Sequence, residues 1–139
     1  MADLPQWVLD TNVIVSGLLS AQGPPGRLLD MVLARRLYLV LDDRIAAEYR
    51  EVIARPKFAM DPSRIDAFLA ILQFQEWVTL APWAHELSPD PDDVMFLEAA
   101  LLATDTVLVT GNTRHYPKCC RGPVKVTSPR DAWTHLSRG

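Results

Sequence analysis

Five stretches of the chain are short and nearly continuously apolar: 7–9, 37–41, 77–80, 107–110 and 124–126. A strand with one wet face alternates apolar and polar residues, whereas a strand covered on both faces is apolar at successive positions. Between these runs, apolar residues recur three and four apart at 13–20, 26–36, 43–54, 62–75, 92–104 and 129–137, the spacing of helices packed through one face. Strand and helix therefore alternate. That order predicts βαβ units and a three-layer α/β/α sandwich around a parallel sheet of about five short strands.

Breakers fall between the predicted elements. Gly23-Pro24-Pro25-Gly26 separates the first two helices, and Arg55-Pro56 stops the third. Pro62 and Pro129 open helices, where the missing N–H costs nothing. Ser88-Pro89-Asp90-Pro91-Asp92 is a polar loop leading into the helix at 92–104. With no repeat, low-complexity tract or linker, the chain reads as one domain over 1–139.

Composition narrows the class. The 139 residues are 49% hydrophobic and 22% charged, ordinary for a folded domain with its own core. No apolar stretch reaches the ~20 residues of a membrane span, and Met-Ala-Asp-Leu-Pro-Gln is not a signal-peptide start. A cytoplasmic protein with no membrane association is expected. Cys119 and Cys120 are neighbours and cannot close a stabilising loop, so they read as a reduced, incidental pair. The net charge of −3 argues against a broad phosphate-binding surface, though not against a small nuclease with its acids gathered at one site. Basic positions are scattered at Arg27, Arg35, Arg36, Arg55, Lys57, Arg114, Lys118, Arg121 and Lys125.

Three acids stand where geometry turns them toward a common crevice. Asp10 ends the first strand, and ligand sites in open α/β sheets lie outside the carboxyl ends of strands. Glu48 falls on the flank of the Ile45, Tyr49, Val52, Ile53 stripe, roughly 85° from its centre, while Glu51 lies roughly 145° away. Asp93 sits one turn before Leu97 and Ala100 on the inward face, with Glu98 roughly 140° round toward solvent. Each has a plainer reading. Asp10 caps a helix, a task Asn12 performs as well; Glu48 is an amphipathic boundary; Asp93 favours a helix dipole. Together, three converging carboxylates repel unless a divalent cation holds them. Thr110-Gly111-Asn112 ends another strand with small polar residues, Gly111 permitting close approach of a ligand and Thr110 and Asn112 offering hydrogen bonds.

Taken in order, these segments resemble the PIN-domain family of metal-dependent ribonucleases, especially the VapC-like toxins of bacterial toxin–antitoxin pairs. Val8-Leu9-Asp10-Thr11-Asn12-Val13 looks like the family's first motif, and Glu48 in Ala47-Glu48-Tyr49-Arg50-Glu51-Val52 matches its second acid. Arg55-Pro56-Lys57-Phe58 is similar to a run found in one branch of PIN toxins. Asp90-Pro91-Asp92-Asp93-Val94-Met95-Phe96-Leu97-Glu98 resembles the third motif, with Asp93 in the acidic position, and Val109-Thr110-Gly111-Asn112 resembles the fourth. One departure stands out. Many PIN proteins carry a further acid at the fourth motif, whereas this chain has Asn112 and no Asp or Glu between Asp105 and Asp131.

The resemblance implies hydrolysis of RNA phosphodiester bonds, leaving a 5′-phosphate and a 3′-hydroxyl. Asp10, Glu48 and Asp93 would hold Mg²⁺ or Mn²⁺, and one metal fits better than two given Asn112. Thr11, Asn12, Thr110 and Asn112 would orient carboxylates, waters or phosphate; Lys57, Arg114 and His115 are candidates for RNA contact. It also implies a small antitoxin partner over the site and allows a homodimer. Two other classes compete. Aspartate-based phosphohydrolases want a second aspartate where Asn12 stands, and a receiver domain wants an acid after the third strand, where Thr79-Leu80-Ala81-Pro82 has none. A PIN-like module that binds without cleaving is the third reading, motivated by the missing acid.

Overall fold

The computed structural model describes residues 4–55, 60–79, 91–103, 106–118, 121 and 123–138, with backbone alone for 91–93. The apolar runs form β1 (Gln6–Leu9), β2 (Tyr38–Leu41), β3 (Glu76–Trp77), β4 (Val107–Val109) and β5 (Lys125–Thr127). They make one all-parallel sheet in the order β3-β2-β1-β4-β5. Trp7, Val8 and Leu9 in β1 and Leu39, Val40 and Leu41 in β2 are all buried. Successive side chains point to opposite faces, so the centre of the sheet is covered on both. The register places Val8 opposite Leu108 and Val107 opposite Lys125.

The helices are α1 (Thr11–Leu19), α2 (Pro24–Leu33), α3 (Asp43–Ile53), α4 (Pro62–Ile71), α5 (Pro91–Leu102) and α6 (Pro129–Arg138). α5 lies across β1, β2 and β4 and touches α3, while α2 packs on α1 and α6. α1 and α2 approach through glycines: a Cβ on Gly26 would stand 2.4 Å from the Ser20 carbonyl oxygen, and one on Gly17 2.8 Å from that of Pro25. Among the described residues no helix is long and apolar enough to cross a membrane.

Several boundaries differ from the sequence expectation. Pro24 and Pro25 do not separate helices; they form the first turn of α2, and Gly26 lies inside it. α2 ends early because Arg35 turns left-handed at φ 61°, letting the amides of Arg36 and Leu37 both donate to Met31 O, at 2.8 and 3.2 Å. The Arg35 guanidinium then rests 4.7 Å from the Phe74 ring centre, a compensating contact. α4 stops at Ile71 and tightens into a 3₁₀ turn at Leu72–Phe74. β3 is two exposed residues at the sheet edge, paired among the described residues with β2 alone.

α5 carries the largest correction. Glu98 does not face solvent; it is 2% exposed. Phe96, Leu97, Glu98, Ala99 and Ala100 are buried in succession, so this helix is covered round much more than the one stripe that fixed the expected direction. Cys119, Cys120, Lys57 and residues 88–90 of the polar loop lie outside the described residues.

Candidate active site

β1 connects to β2 on one side, and β4 joins on the other, so strand order reverses between β1 and β4. A crevice opens outside the carboxyl ends of strands at such a reversal. Asp10 and Thr110 are the residues that follow those two strands. The Asp10 amide donates to Val109 O at 2.9 Å, which locks the two strand ends side by side. Asp10 is 7% exposed and occupies the N-cap position of α1, yet its side chain makes no capping hydrogen bond. Instead the Thr110 hydroxyl donates to Asp10 Oδ2 at 2.8 Å. Thr110 is fully buried, and its Oγ1 in turn accepts the Asn112 amide at 3.1 Å. With that lone pair engaged, the hydroxyl proton is committed to Asp10.

Burial raises the Asp10 carboxyl pKa above its ordinary value of 3.8; the Thr110 hydroxyl, the nearby amides of Thr11 and Asn12 and the charge of His115 oppose that rise only in part. Among the described residues, no basic side chain forms an ion pair with Asp10.

Glu48 is brought in from α3. It is half-buried, as its flank position requires, while Glu51 faces solvent and pairs with Arg55. The Thr11 hydroxyl donates to Glu48 Oε2. One residue on, the Tyr49 hydroxyl donates to Leu9 O at 2.5 Å, its ring buried edge-on to Phe68. The residues on either side of Asp10 are thus both tied to α3, at Glu48 and at the next position. These two bonds hold α3, and with it Glu48, against the end of β1 that leads into Asp10. Burial lifts the Tyr49 phenol well above its usual pKa, and the charges of Asp10, Glu48 and Asp42 add to that rise.

The remaining sequence candidates separate. Asn12 does not cap α1; it lies within the first turn, and its Oδ1 accepts the Gly111 amide at 3.4 Å, a second tie between the two strand ends. A Cβ on Gly111 would meet Asn12 Oδ1 at 3.7 Å, an ordinary contact, so neighbouring protein atoms do not demand glycine there. Arg114 and His115 are exposed in a 3₁₀ turn at Thr113–His115, directly after Asn112. Asp93 stands in the first turn of α5, and its carboxylate lies outside the described residues, as does Lys57.

Sequence reasoning missed Tyr49 and a second cluster at the same sheet edge. Asp42 ends β2 as Asp10 ends β1, and the same signal of an acid closing an apolar run marks both. Asp42 caps α3, accepting the Ile45 amide at 3.0 Å, and is paired with Arg44 at 3.1 Å. Arg44 also reaches buried Glu98 at 3.2 Å. Asp42 therefore has both a side-chain cap and an arginine ion pair, and Asp10 has neither.

The donor set suits a hard divalent cation. Asp10 and Glu48 each give one oxygen to a threonine hydroxyl. Among the described residues no other side chain donates to either carboxylate, although the amides of Thr11 and Asn12 approach that of Asp10. Anionic oxygens held in place with free lone pairs are what Mg²⁺ or Mn²⁺ requires. Among the described residues no group of three His, Cys, Asp or Glu side chains that could hold a metal ion is assembled; the carboxylate of Asp93, the third candidate acid, lies outside them.

Among curated proteins none matches this chain. The PIN domain matches residues 6–114, a span that runs from β1 to the turn after β4 and takes in Asp10, Glu48, Asp93 and Thr110. PIN domains are generally nucleases and typically use divalent metals. With the parallel sheet, the crevice at its reversal point and this match over most of its length, the chain belongs to the PIN-domain family.

Proposed function

We propose that this protein is a metal-dependent endoribonuclease and the toxin of a toxin–antitoxin pair. The observation that carries the nuclease reading is Asp10: a buried carboxylate at the sheet's reversal point, in no ion pair among the described residues and with Glu48 fixed to the next residue, Thr11. Asp10 and Glu48, joined by Asp93 from the start of α5, would hold Mg²⁺ or Mn²⁺. The chemistry such a cation supplies is a lowered pKa for water and neutralisation of charge on phosphoryl oxygens.

The protein's own residues do the positioning. Thr110 and Thr11 each fix one carboxylate oxygen and so aim the other into the crevice. Asn12 ties the two strand ends together by accepting the Gly111 amide, and exposed Asn112 presents its side-chain amide to water or phosphate. Arg114, His115 and Lys57 contact the RNA backbone. Hydrolysis leaves a 5′-phosphate and a 3′-hydroxyl. A small antitoxin seated over the crevice silences the cytoplasmic toxin, which also forms a homodimer.

Two measurements test this. Calorimetry with Mn²⁺ on the wild type should show binding that Asp10→Asn loses. Asp93→Asn should remain folded by circular dichroism and lose Mg²⁺- or Mn²⁺-dependent RNA cleavage. Full cleavage by the purified Asp93→Asn protein would remove that residue from the site, and absence of Mn²⁺ binding at millimolar metal would leave a binding module in place of an enzyme.

A further inference from the structure

The charge of this chain is divided unevenly. Residues 106–130 carry Arg114, Lys118, Arg121, Lys125 and Arg130 and not one Asp or Glu, while all seventeen acids of the protein fall outside that span. The fold gives this segment a definite path. Thr110 follows β4 at the carboxyl edge of the sheet, bonded to Asp10; Lys125 opens β5, which pairs in parallel with β4, opposite Val107 at its amino end. The connection must therefore travel from the Asp10 crevice back along the sheet. Buried Tyr116 anchors its middle. Arg114, Lys118 and Lys125 are exposed, and Arg121 is partly so. Among the described residues Arg114, Lys118 and Arg121 make no ion pair.

Cations left unpaired in a protein of net charge −3 are not needed to balance neighbours. β4 is three residues long, so the return path covers about 10 Å of sheet. That is close to one Debye length at physiological salt, a length over which exposed like charges reinforce one another, so the connection forms a basic band in sequence and in path. The band begins beside the crevice and leads away from it.

We infer that the β4–β5 connection is a phosphate track for single-stranded RNA, in which Arg114, Lys118 and Arg121 bind successive backbone phosphates on one side of the crevice. This rests on the nuclease reading for its substrate class. The track would bind without regard to base identity, because phosphate contacts position a strand and do not read it. It would also act on affinity, leaving the chemical step untouched.

The test is fluorescence anisotropy of a labelled single-stranded RNA in EDTA, so that binding is read apart from cleavage, over a range of salt. Three single-strand phosphate contacts contribute about 2 to the slope of log affinity against log salt. Arg114→Ala, Lys118→Ala and Arg121→Ala combined should lower the slope by about that amount and weaken binding at least tenfold near physiological salt. Arg36→Ala, Arg50→Ala and Arg138→Ala combined, the same change of charge at other exposed positions, should leave the slope unaltered. Should the triple variant not fold, Lys118→Ala alone should lower the slope by about 0.7. An unchanged slope in the track variants, an equal loss in the control, or displacement of the RNA by polyglutamate at equal charge would overturn the proposal, the last pointing to an acidic protein partner. The two readings fail separately. RNA cleavage that survives loss of the track with unchanged KM leaves the nuclease and removes the track. Salt-sensitive binding without metal-dependent cleavage does the reverse.

Discussion

Asp10→Asn should make the metal-free protein more stable while abolishing its activity. Asp10 is 7% exposed, and burial is the leading cause that lifts its carboxyl pKa above 3.8. A group whose folded pKa is raised binds its proton more tightly in the native state than in the unfolded one. Native stability is then favoured below the raised pKa and declines as pH rises through it. At neutral pH the carboxylate is ionised at a cost, and asparagine removes that cost while its side-chain oxygen can still accept from Thr110. Relieving a functional charge of this kind typically stabilises by about 1–2 kcal/mol. For a chain of 139 residues, ~3 °C accompanies each kcal/mol, so the expected gain in Tm is about 3–6 °C. The assay is calorimetric melting in EDTA from pH 4 to pH 8, with wild type and variant side by side. The gap should be small at acid pH and open as pH rises. Millimolar Mn²⁺ should then raise the Tm of the wild type and leave that of Asp10→Asn unmoved. A variant that melts below the wild type at neutral pH would refute the reasoning, for it would make Asp10 a structural acid supported by Thr110 and the start of α1.

Thr110→Val removes the donor to buried Asp10 and the acceptor of the part-buried Asn112 amide, with an expected loss of about 1–3 kcal/mol in urea unfolding and weaker Mn²⁺ binding, both spared in Thr110→Ser. Arg44→Met leaves Asp42 and Glu98 buried without their shared counter-charge; because Arg44 is itself half exposed, about 2 kcal/mol is expected, less than for a fully buried pair, with partial recovery when Glu98→Gln is added. Gly26→Ala drives a methyl to 2.4 Å from the Ser20 carbonyl and should cost about 1–3 kcal/mol, whereas Gly111→Ala, with 3.7 Å to its nearest neighbour, should change stability by less than about 0.5 kcal/mol.

Much of this architecture was legible because both faces of the sheet are covered. That makes each strand an uninterrupted apolar run, and all five were found within a few residues of their observed places. Proline marked the helix starts at Pro62 and Pro129, whereas Pro24 and Pro91, read as part of the intervening loops, open α2 and α5 themselves. What escaped was set by tertiary contact. The length of β3 depends on having a neighbour on one side only, and the end of α2 depends on Arg35 adopting a positive φ beside Phe74. Rotation about one buried stripe placed Glu48 correctly on α3, a helix with a wet face. The same reasoning misdirected Glu98, because α5 is enclosed on several sides and direction round it no longer separates core from solvent. The site was legible at Asp10 through its position alone. Nothing in the sequence distinguished it from Asp42, which carries the same signature and turns out to be a capped, ion-paired structural acid. The difference lies in Arg44, whose side chain folds back on Asp42 and crosses to α5.

The most direct test of the central claim is cleavage of an end-labelled single-stranded RNA by the purified protein, with the product termini analysed. The expected result is cleavage in Mg²⁺ or Mn²⁺ that stops in EDTA, returns with excess metal, yields 5′-phosphate ends, and is absent from Asp10→Asn. Cleavage that persists in EDTA, or that proceeds undiminished in Asp10→Asn, would contradict it.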